Sequence, residues 1–536
     1  MAPMLAWFIF FSAASAALMM HDPLVIGQTF MAGSTDPTSG STAWALTSHG
    51  ISEKLFTVDQ DGNVVPQIAE SVTKVDTMTW QVTVRSGYSF SDSTEVTPQH
   101  VVDALMELNQ QNPSAQASAG SMTVTVVDGK VQIVTERATP VMDAVLAEWV
   151  FVIYLVKSGE RYFTGPYAVE TFVEGDHIDL IPNIHYPRAA ERPLLTIKKY
   201  STGHEAATAL ENNEVDMAFH LPIDTLTDLR AVSGITVKSF LVGYHYMMWH
   251  NTQRAPLNEL AVREAIDMAV DRQELTQELR GGSATRHLFP ENTPYGDALD
   301  DAAPYADTSG AETKLSNAGW VKNANGIREK NGEQLSVGLV AYPQRPGLVV
   351  MQPVIHQTLT DLGFAVNSIT TSGDSWDQLD EIIAQQNFNL MLWAQHTLPA
   401  GDPQWFLNAF FRSDGGNNHA GLNSSAIDGL LDDLAHTDTA MARVTATTAA
   451  HEAILAEVPV SNIVTPSWHV GLSSRLSDYE PWGADYYIVR ADFAIGALST
   501  ITTTSGSDVS SARRGESFHF FASILMLSAG VQMVEA

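Results

Sequence analysis

Residues 255–265 read Ala255-Pro256-Leu257-Asn258-Glu259-Leu260-Ala261-Val262-Arg263-Glu264-Ala265, and they begin the clearest helical pattern in the chain. Apolar pairs recur every fourth residue from Ala261/Val262 to Ala269/Val270, which is the spacing of one face of an α-helix. Asn258 is a residue type that favours the N-cap position. The pattern predicts a helix over Asn258–Leu275, with one face packed on a core.

Strand patterns accompany this helix along the chain. Trp80–Val84 alternates in the way of a half-buried strand, and Met122–Ile133 is β-rich around a turn at Asp128-Gly129. Glu205–Leu210 and Met351–Leu362 have the character of further helices. Strands that alternate with helices predict α/β lobes.

Composition restricts the class of protein. Hydrophobic residues make up 45% of the 536 residues and charged residues 17%, which is the composition of a globular chain with a large core. The formal net charge is -32. A chain with this charge repels phosphate backbones, so we expect no nucleic-acid partner.

The sequence lacks the residues and motifs that several kinds of catalysis and metal binding require. There is no cysteine, which excludes disulfides, thiol catalysis and Cys-ligated metal sites. His204-Glu205 and His451-Glu452 begin like a zinc-protease helix, but Thr208 and Leu455 stand where the second histidine is needed. No nucleophile elbow, phosphate loop or dinucleotide fingerprint is present. We therefore expect a protein that is not an enzyme and has no covalent cofactor.

The two ends have the character of targeting segments. Residues 1–17 combine an apolar run with small residues, which predicts a signal peptide and a secreted protein; an N-terminal membrane anchor is the alternative. Residues 499–517 form a Ser/Thr-rich linker, and residues 518–536 form a hydrophobic tail. This pattern is typical of a GPI-anchor signal. A short transmembrane anchor, or a tail packed on the fold, would explain it too. A GPI anchor or a C-terminal transmembrane anchor would tether the protein to the outer face of a membrane.

A set of short motifs is spread through the chain in a characteristic order. They are Thr35-Asp36-Pro37, Glu53-Lys54-Leu55-Phe56, Asp61–Ser71, Trp80, Arg85-Ser86-Gly87, Phe90-Ser91-Asp92, Thr164–Tyr167, Glu214-Val215-Asp216, Ala318-Gly319-Trp320 and Gly401-Asp402-Pro403. Together, from about residue 23 to residue 490, they resemble the extracellular solute-binding proteins of family 5, which serve peptide and nickel ABC transporters. Residues 255–265 and Ile327–Gly332 are similar to the nickel-binding members.

The resemblance implies an α/β, two-lobed periplasmic-binding-protein-like fold of class II, with a subdomain inserted in the first lobe. The implied segments are lobe I at 22–249 with an inserted subdomain at about 50–162, lobe II at 250–466, a return to lobe I at 468–495, and hinges at 249–251 and 466–470. Such a fold closes on a ligand held between its lobes.

The implied function is capture of a small ligand for transmembrane uptake. The ligand would be nickel, a nickel chelate or a short peptide, and the partner an ABC transporter permease in a bacterial-type system. A surface receptor or adhesion module that kept the scaffold without a transporter is the alternative.

The resemblance also indicates site residues. Trp393 stands where the family has a cleft tryptophan, and His419 lies near the family's metal-reaching histidine. A neutral imidazole is a good nickel donor. The predicted ligand-binding residues are Trp393, His396, Asp402, Trp405, Trp44, Trp149, Tyr246 and Tyr486, with His419 as the predicted metal contact. Core packing is the alternative for Trp44 and Trp405, and a surface loop is the alternative for His419.

The family's carboxylate-gripping arginines have no counterpart here. Their positions fall near Pro113 and in Trp149–Val152, and neither place has an arginine. Gly40 and Ala45 replace an aromatic residue and a methionine of the family pocket. Tyr244 and His245 could help to build a different, more aromatic pocket. The ligand therefore stays open at this point.

Overall fold

The computed structural model describes residues 22–60, 63–291, 293–296, 306–373 and 376–495. The predicted signal peptide at 1–17, the linker at 499–517 and the tail at 518–536 lie outside these ranges, so all three stay predictions. Within the described ranges, no helix has the length and apolar character that crossing a bilayer requires.

A mixed seven-stranded sheet is the base of the first lobe. In spatial order its strands are β10 (Tyr167–Val173), β11 (His177–Pro182), β12 (Leu195–Lys199), β1 (Leu24–Gln28), β13 (Met217–Phe219), β24 (Ser467–Ser473) and β14 (Ile235–Leu241). The central strand β1 pairs in parallel with β12 and β13, while the outer pairs are antiparallel. Burial of Leu24 and Ile26 anchors β1 in the core.

A six-stranded sheet is the base of the second lobe. In spatial order its strands are β16 (Ser283–Ala284), β23 (Val460–Thr465), β15 (Tyr244–His250), β22 (Leu390–His396), β20 (Ser336–Ala341) and β21 (Ala365–Thr370). Every residue of β15 is buried, which fits a central strand covered on both faces. This run of aromatic and methionine side chains supplies rings to both faces of the sheet.

Smaller sheets complete the described chain. The strands are β2 (Phe56–Val58) with β3 (Val64–Pro66); β4 (Ala69–Lys74), β5 (Thr79–Val84), β7 (Lys130–Thr135) and β6 (Met122–Val127); β8 (Tyr154–Lys157) with β9 (Glu160–Phe163); and β17 (Val321–Lys322), β18 (Arg328–Lys330) and β19 (Glu333–Gln334). The predicted strand at Trp80–Val84 and the predicted turn at Asp128-Gly129 are confirmed. Both turn residues have positive φ, 51° and 75°, as a tight hairpin requires.

Helices pack on these sheets. In chain order they are α1 (Thr42–Ser48), α2 (Pro98–Gln111), α3 (Pro113–Ala119), α4 (Met142–Leu146), α5 (Gly203–Glu211), α6 (Leu226–Ala231), α7 (Leu260–Ala269), α8 (Arg272–Glu278), α9 (Thr308–Asn317), α10 (Pro346–Leu362), α11 (Asp377–Ala384), α12 (Gln404–Phe411), α13 (Ser425–Ala435) and α14 (Ala440–Glu457). The predicted helices at Glu205–Leu210 and Met351–Leu362 lie within α5 and α10 and are confirmed.

The single helix predicted at Asn258–Leu275 is wrong. The chain forms α7 and α8 instead, with Val270 in an extended conformation between them. Asp271 caps α8, because its carboxylate accepts hydrogen bonds from the backbone N–H groups of Gln273 and Glu274, both at 3.0 Å. Glu259, rather than Asn258, stands at the N-cap of α7.

Over the part of the chain that the structure describes, the backbone crosses between the two large sheets twice. It leaves β14 and enters β15 through Val242 and Gly243, and it returns from β23 to β24 through Pro466. The sequence placed the first crossing later, at 249–251, but β15 already pairs in the second sheet. Gly243 is required there, since a Cβ atom would lie 2.5 Å from the His396 ring. The predicted lobe boundaries otherwise stay a prediction.

Candidate functional site

The two lobes touch through polar side chains. Thr29 Oγ1, at the end of β1, donates a hydrogen bond to the carbonyl of Gln344 at 3.0 Å. Farther out, Lys74 pairs with Asp438 at 2.7 Å, and Arg137 pairs with Asp414 at 2.8 Å. These contacts bring the facing surfaces of the lobes together, so residues between them are largely buried.

A buried guanidinium lies between the lobes. Arg345 directly precedes α10 in the second lobe, and 4% of its surface is exposed. Four rings surround it and form what we call the guanidinium cage; their centroids lie 5.2–5.8 Å from the guanidinium carbon. They are Phe30 at 5.8 Å, Trp44 at 5.4 Å, Tyr244 at 5.5 Å and Trp468 at 5.2 Å. This range is that of cation–π contacts. Three of the rings come from the first lobe, so the cage joins the two lobes.

Asp485 supplies the counter-charge of the cage. Its Oδ2 lies 2.8 Å from Nη2 of Arg345, and its Oδ1 accepts hydrogen bonds from the Tyr244 hydroxyl at 2.9 Å and Trp44 Nε1 at 3.3 Å. Burial raises the pKa of Asp485, while the guanidinium and these two donors oppose that rise. The result is an ion pair between a first-lobe carboxylate and a second-lobe guanidinium.

Several predicted ligand residues converge on this cage. Trp44 is one of its rings, and Tyr246 accepts a hydrogen bond from Trp468 Nε1 at 2.9 Å. Tyr486 stacks on His396 with ring centroids 5.4 Å apart and contacts Trp44 edge-on at 6.4 Å. Burial lowers the pKa of His396 to about 3, so its imidazole is neutral near pH 7.

A second cluster surrounds His419. The rings of Trp249, Trp393 and Phe410 lie 5.8, 4.8 and 5.5 Å from the imidazole and form the imidazole cage. Trp405 contacts this cage through Phe410 at 5.9 Å. Burial lowers the pKa of His419 to about 4, which keeps the imidazole in its neutral, metal-donating form. Only 7% of the His419 surface is exposed, so this residue lies inside the protein rather than in an open surface loop.

The loop before His419 lies against the first lobe. A Cβ atom on Gly416 would be 3.2 Å from Cβ of Pro113, at the start of α3. This is the place where the resemblance puts a carboxylate-gripping arginine, and Pro113 supplies no such group. Within the described ranges, no three metal-donating side chains are grouped so that they could hold an ion. A metal bound at His419 would have to bring its remaining donors with it.

Asp402 is held by its own lobe. Its carboxylate receives two hydrogen bonds from Arg443, from Nε at 2.8 Å and Nη2 at 2.7 Å, and a third from the backbone N–H of Gln404 at 2.9 Å. This bidentate pair positions the start of α12. The ligand-binding role predicted for Asp402 stays a prediction.

Trp149 is buried, and its segment contains or pairs with two buried charged residues, Glu148 and Lys54, that the sequence reading missed as site residues. Glu148 and Lys54 are each 2% exposed, and Lys54 forms a backbone bridge with Val152. Glu148 Oε2 has no hydrogen-bond partner in the described chain. Burial raises the pKa of Glu148 well above its usual value, and burial lowers that of Lys54 to about 8. A single charge inside the run Ala147–Ile153 was the signal that could have revealed Glu148.

A small cavity adjoins the guanidinium cage. Its volume is about 30 Å³, room for roughly one water molecule. Residues of both lobes line it, among them His220, Tyr246, Gly347 and Trp468. It lies beside the guanidinium cage rather than against Trp393 and Asp402. Like Glu148 and Lys54, Arg345 is a buried charged residue that the sequence reading missed, and it too is a lone charge near an apolar run.

Comparison with known proteins identifies the family. A sequence profile described as "Bacterial extracellular solute-binding proteins, family 5 Middle" matches residues 63–418. The chain belongs to this family. The family is one of extracellular solute-binding proteins, and the resemblance seen in the sequence is confirmed.

Relatives of this solute-binding protein include nickel and peptide binders. The nickel-binding protein NikA of Staphylococcus aureus is 22% identical over 452 residues, covering 82% of this chain and 88% of the relative. The periplasmic oligopeptide-binding protein OppA of Salmonella typhimurium is 24% identical over 437 residues, covering 72% and 76%.

Solved structures confirm the two-lobed fold of this solute-binding protein. NikA from Staphylococcus aureus in complex with Ni(L-His)2 superposes with a TM-score of 0.79 at 19% identity, covering 88% of this chain and 99% of that chain. The oligopeptide-binding protein AppA from Bacillus subtilis, in complex with a nonapeptide, gives 0.72 at 17% identity, covering 87% and 97%.

Proposed function

We propose that this solute-binding protein captures a small nickel chelate between its lobes at the extracellular face and delivers it to an ABC transporter permease for uptake. The main support for this proposal is the neutral imidazole of His419, which lies in a cage of three aromatic rings. One imidazole without neighbouring donors suits a metal that arrives already chelated. The nickel-binding relatives and the Ni(L-His)2 complex of NikA support this ligand class.

A short peptide is the second candidate ligand. It is favoured by Lys54 and Glu148, two buried groups of opposite charge near Trp149, and by the oligopeptide-binding relatives. In either case the protein binds without turning its ligand over. Peptidase and amidase assays should therefore show no product above a buffer control.

Closure on the ligand is the direct test of this function. We expect nickel–histidine or short peptides to release heat in calorimetry and to make the small-angle scattering profile more compact. Free nickel should bind more weakly than nickel–histidine, because a single imidazole leaves most coordination positions to water. Flat traces with nickel–histidine and with peptides would instead favour a receptor or adhesion module that kept the scaffold.

Replacing His419 tests the metal contact. We expect His419→Ala to weaken nickel–histidine binding by about tenfold or more, since a lost donor is worth at least 1.4 kcal/mol. Calorimetry would measure this, with thermal unfolding as the check on folding. His436→Ala is the matched control, because His436 is exposed on the same lobe. Equal affinity of the His419 variant and the wild type would contradict a metal contact at this residue.

A further inference from the structure

The guanidinium cage and the cation inside it belong to different lobes. The first lobe supplies three rings and a carboxylate, which we call the half-cage: Phe30, Trp44, Trp468 and Asp485. Arg345 enters the half-cage from the second lobe, directly before α10. Lobes that move apart therefore separate Arg345 from the half-cage, and the rings and the carboxylate then lose their cation.

The half-cage is held in shape by contacts within the first lobe. Phe30 stacks on Trp44 with ring centroids 4.3 Å apart, and Trp44 Nε1 donates a hydrogen bond to Asp485 Oδ1 at 3.3 Å. Trp468 lies on β24, where the His220 ring contacts it edge-on at 4.5 Å. None of these contacts involves the second lobe, so the half-cage keeps its geometry when the lobes part.

The groups of the half-cage suit a planar organic cation. Aromatic faces attract a positive charge and stack on the plane of a guanidinium group, and a carboxylate accepts its N–H groups. Asp485 is fully buried, so its charge requires a cation close by. The formal net charge of -32 also attracts cations toward the protein from solution.

Arg345 fills the half-cage incompletely. Its Nη2 donates to Asp485 at 2.8 Å and its Nη1 to the carbonyl of Gln344 at 3.4 Å, while Nε has no hydrogen-bond partner among the described residues. The cavity of about 30 Å³ beside the cage shows that the lobes are not fully packed here. A free guanidinium is not tied to α10 and can turn two N–H groups toward the carboxylate, which is the stronger, bidentate geometry.

We propose that the half-cage is a binding site for a free guanidinium compound, which takes the place of Arg345 and holds the lobes apart. The site shares no ring with the imidazole cage of His419, and its occupant opposes capture instead of being the captured solute. The inference goes beyond the proposed function and rests on the lobes opening and closing as that function requires. Because the compound binds the open form, its affinity is lowered by the fraction of the protein that is closed.

Titration of the wild type with ethylguanidinium, at constant chloride concentration, tests the site. We expect heat of binding in calorimetry, a larger radius of gyration in small-angle scattering and about tenfold weaker nickel–histidine binding at saturation. Ethylurea is the neutral control of similar shape and should have none of these effects. Tetramethylammonium donates no hydrogen bond and should bind more weakly. Equal effects of ethylurea and ethylguanidinium, or no heat and no expansion below the concentrations that unfold the protein, would overturn the site.

Variants of the cage separate the half-cage from other arginine positions. Arg345→Ala removes the tethered competitor and should bind ethylguanidinium about tenfold more tightly or better. Arg345→Ala/Asp485→Asn lacks the carboxylate as well and should lose this binding. Arg443→Ala is the matched control, because Arg443 pairs with Asp402 inside the second lobe at 2.7 Å, and it should bind ethylguanidinium as the wild type does. An equal gain in the Arg345 and Arg443 single variants would refute the half-cage.

The outcomes distinguish this site from the capture function. Binding of ethylguanidinium with expansion, in a protein that responds neither to nickel–histidine nor to peptides, would support the half-cage and refute the capture function. Closure on nickel–histidine that saturating ethylguanidinium does not oppose would refute the half-cage and leave the capture function intact. The wild-type titrations decide both points even if a variant fails to fold, which thermal unfolding would reveal.

Discussion

Replacing Arg345 with methionine is expected to lower the free energy of unfolding by about 3–5 kcal/mol, because it leaves the Asp485 carboxylate buried without its counter-charge. Asp485 is fully buried, and its pairing atom lies 2.8 Å from the guanidinium. Urea unfolding near pH 7 measures the loss. The double variant Arg345→Met/Asp485→Asn should recover much of it, since no uncompensated charge then remains. A single-variant loss below about 1 kcal/mol would contradict an ionised pair.

The same pair should also hold the lobes together. Arg345 and Asp485 belong to different lobes, so the Arg345 variant should have a larger radius of gyration in small-angle scattering than the wild type. Arg443→Met is the control, because it breaks the equally buried pair with Asp402 inside the second lobe. The control variant should lose stability without expanding. Expansion of both variants to the same extent would show that general loosening, rather than the interlobe pair, is responsible.

The second large effect is expected on acidification. Burial lowers the pKa of a set of histidines well below 6.5: to about 3 for His49, His245, His396 and His451, and to about 4 for His250, His419 and His469. The folded state therefore binds fewer protons than the unfolded chain below pH 6.5. The stability is fully present above that pH and is lost as the pH falls toward these lowered values.

Each fully buried histidine should remove roughly 2 kcal/mol by about pH 5, since one pKa unit corresponds to about 1.36 kcal/mol. Several such groups together approach the whole stability of a typical domain. We expect the urea midpoint to fall steeply between about pH 6.5 and pH 5, ending in acid unfolding. His245→Leu should make this fall shallower, because both ring nitrogens of His245 are buried without partners among the residues that the structure describes. The exposed His436 gives the control, and a midpoint independent of pH would contradict the prediction.

The sequence predicted those parts of the fold that depend on local patterns. The alternation at Trp80–Val84 and the turn at Asp128-Gly129 follow from which side chains face the core and which residues tolerate positive φ. The helix from Asn258 to Leu275 failed because its apolar spacing continues through a break. Val270 ends the first helix and Asp271 caps the second, and Arg272 forms an ion pair with Asp267 across the break, a contact that the apolar spacing does not show.

In the candidate site, too, the sequence predicted some features and the tertiary structure decided others. The sequence indicated Trp393 and His419 through their family positions, and the structure places their rings 4.8 Å apart. Their ligand-binding roles stay predictions. Asp402 was predicted to be a cleft residue, yet its carboxylate accepts hydrogen bonds from Arg443, 41 positions later in the sequence. The sequence could not show this pairing, because nothing in the local pattern of either residue refers to the other.

The sequence by itself determined the α/β class, the family and the absence of cysteine chemistry, because each of these depends on composition or on motifs read along the chain. Only the tertiary structure decided the partners of the buried charges. Arg345 and Asp485 are 140 residues apart in the sequence. Arg345 stands at the start of α10 in the second lobe, and Asp485 lies in the segment that returns to the first lobe, so the folded arrangement of the two sheets is what brings them together. A buried charge keeps its ionised form only where such a distant partner or a ligand compensates it, and that placement is a property of the folded chain.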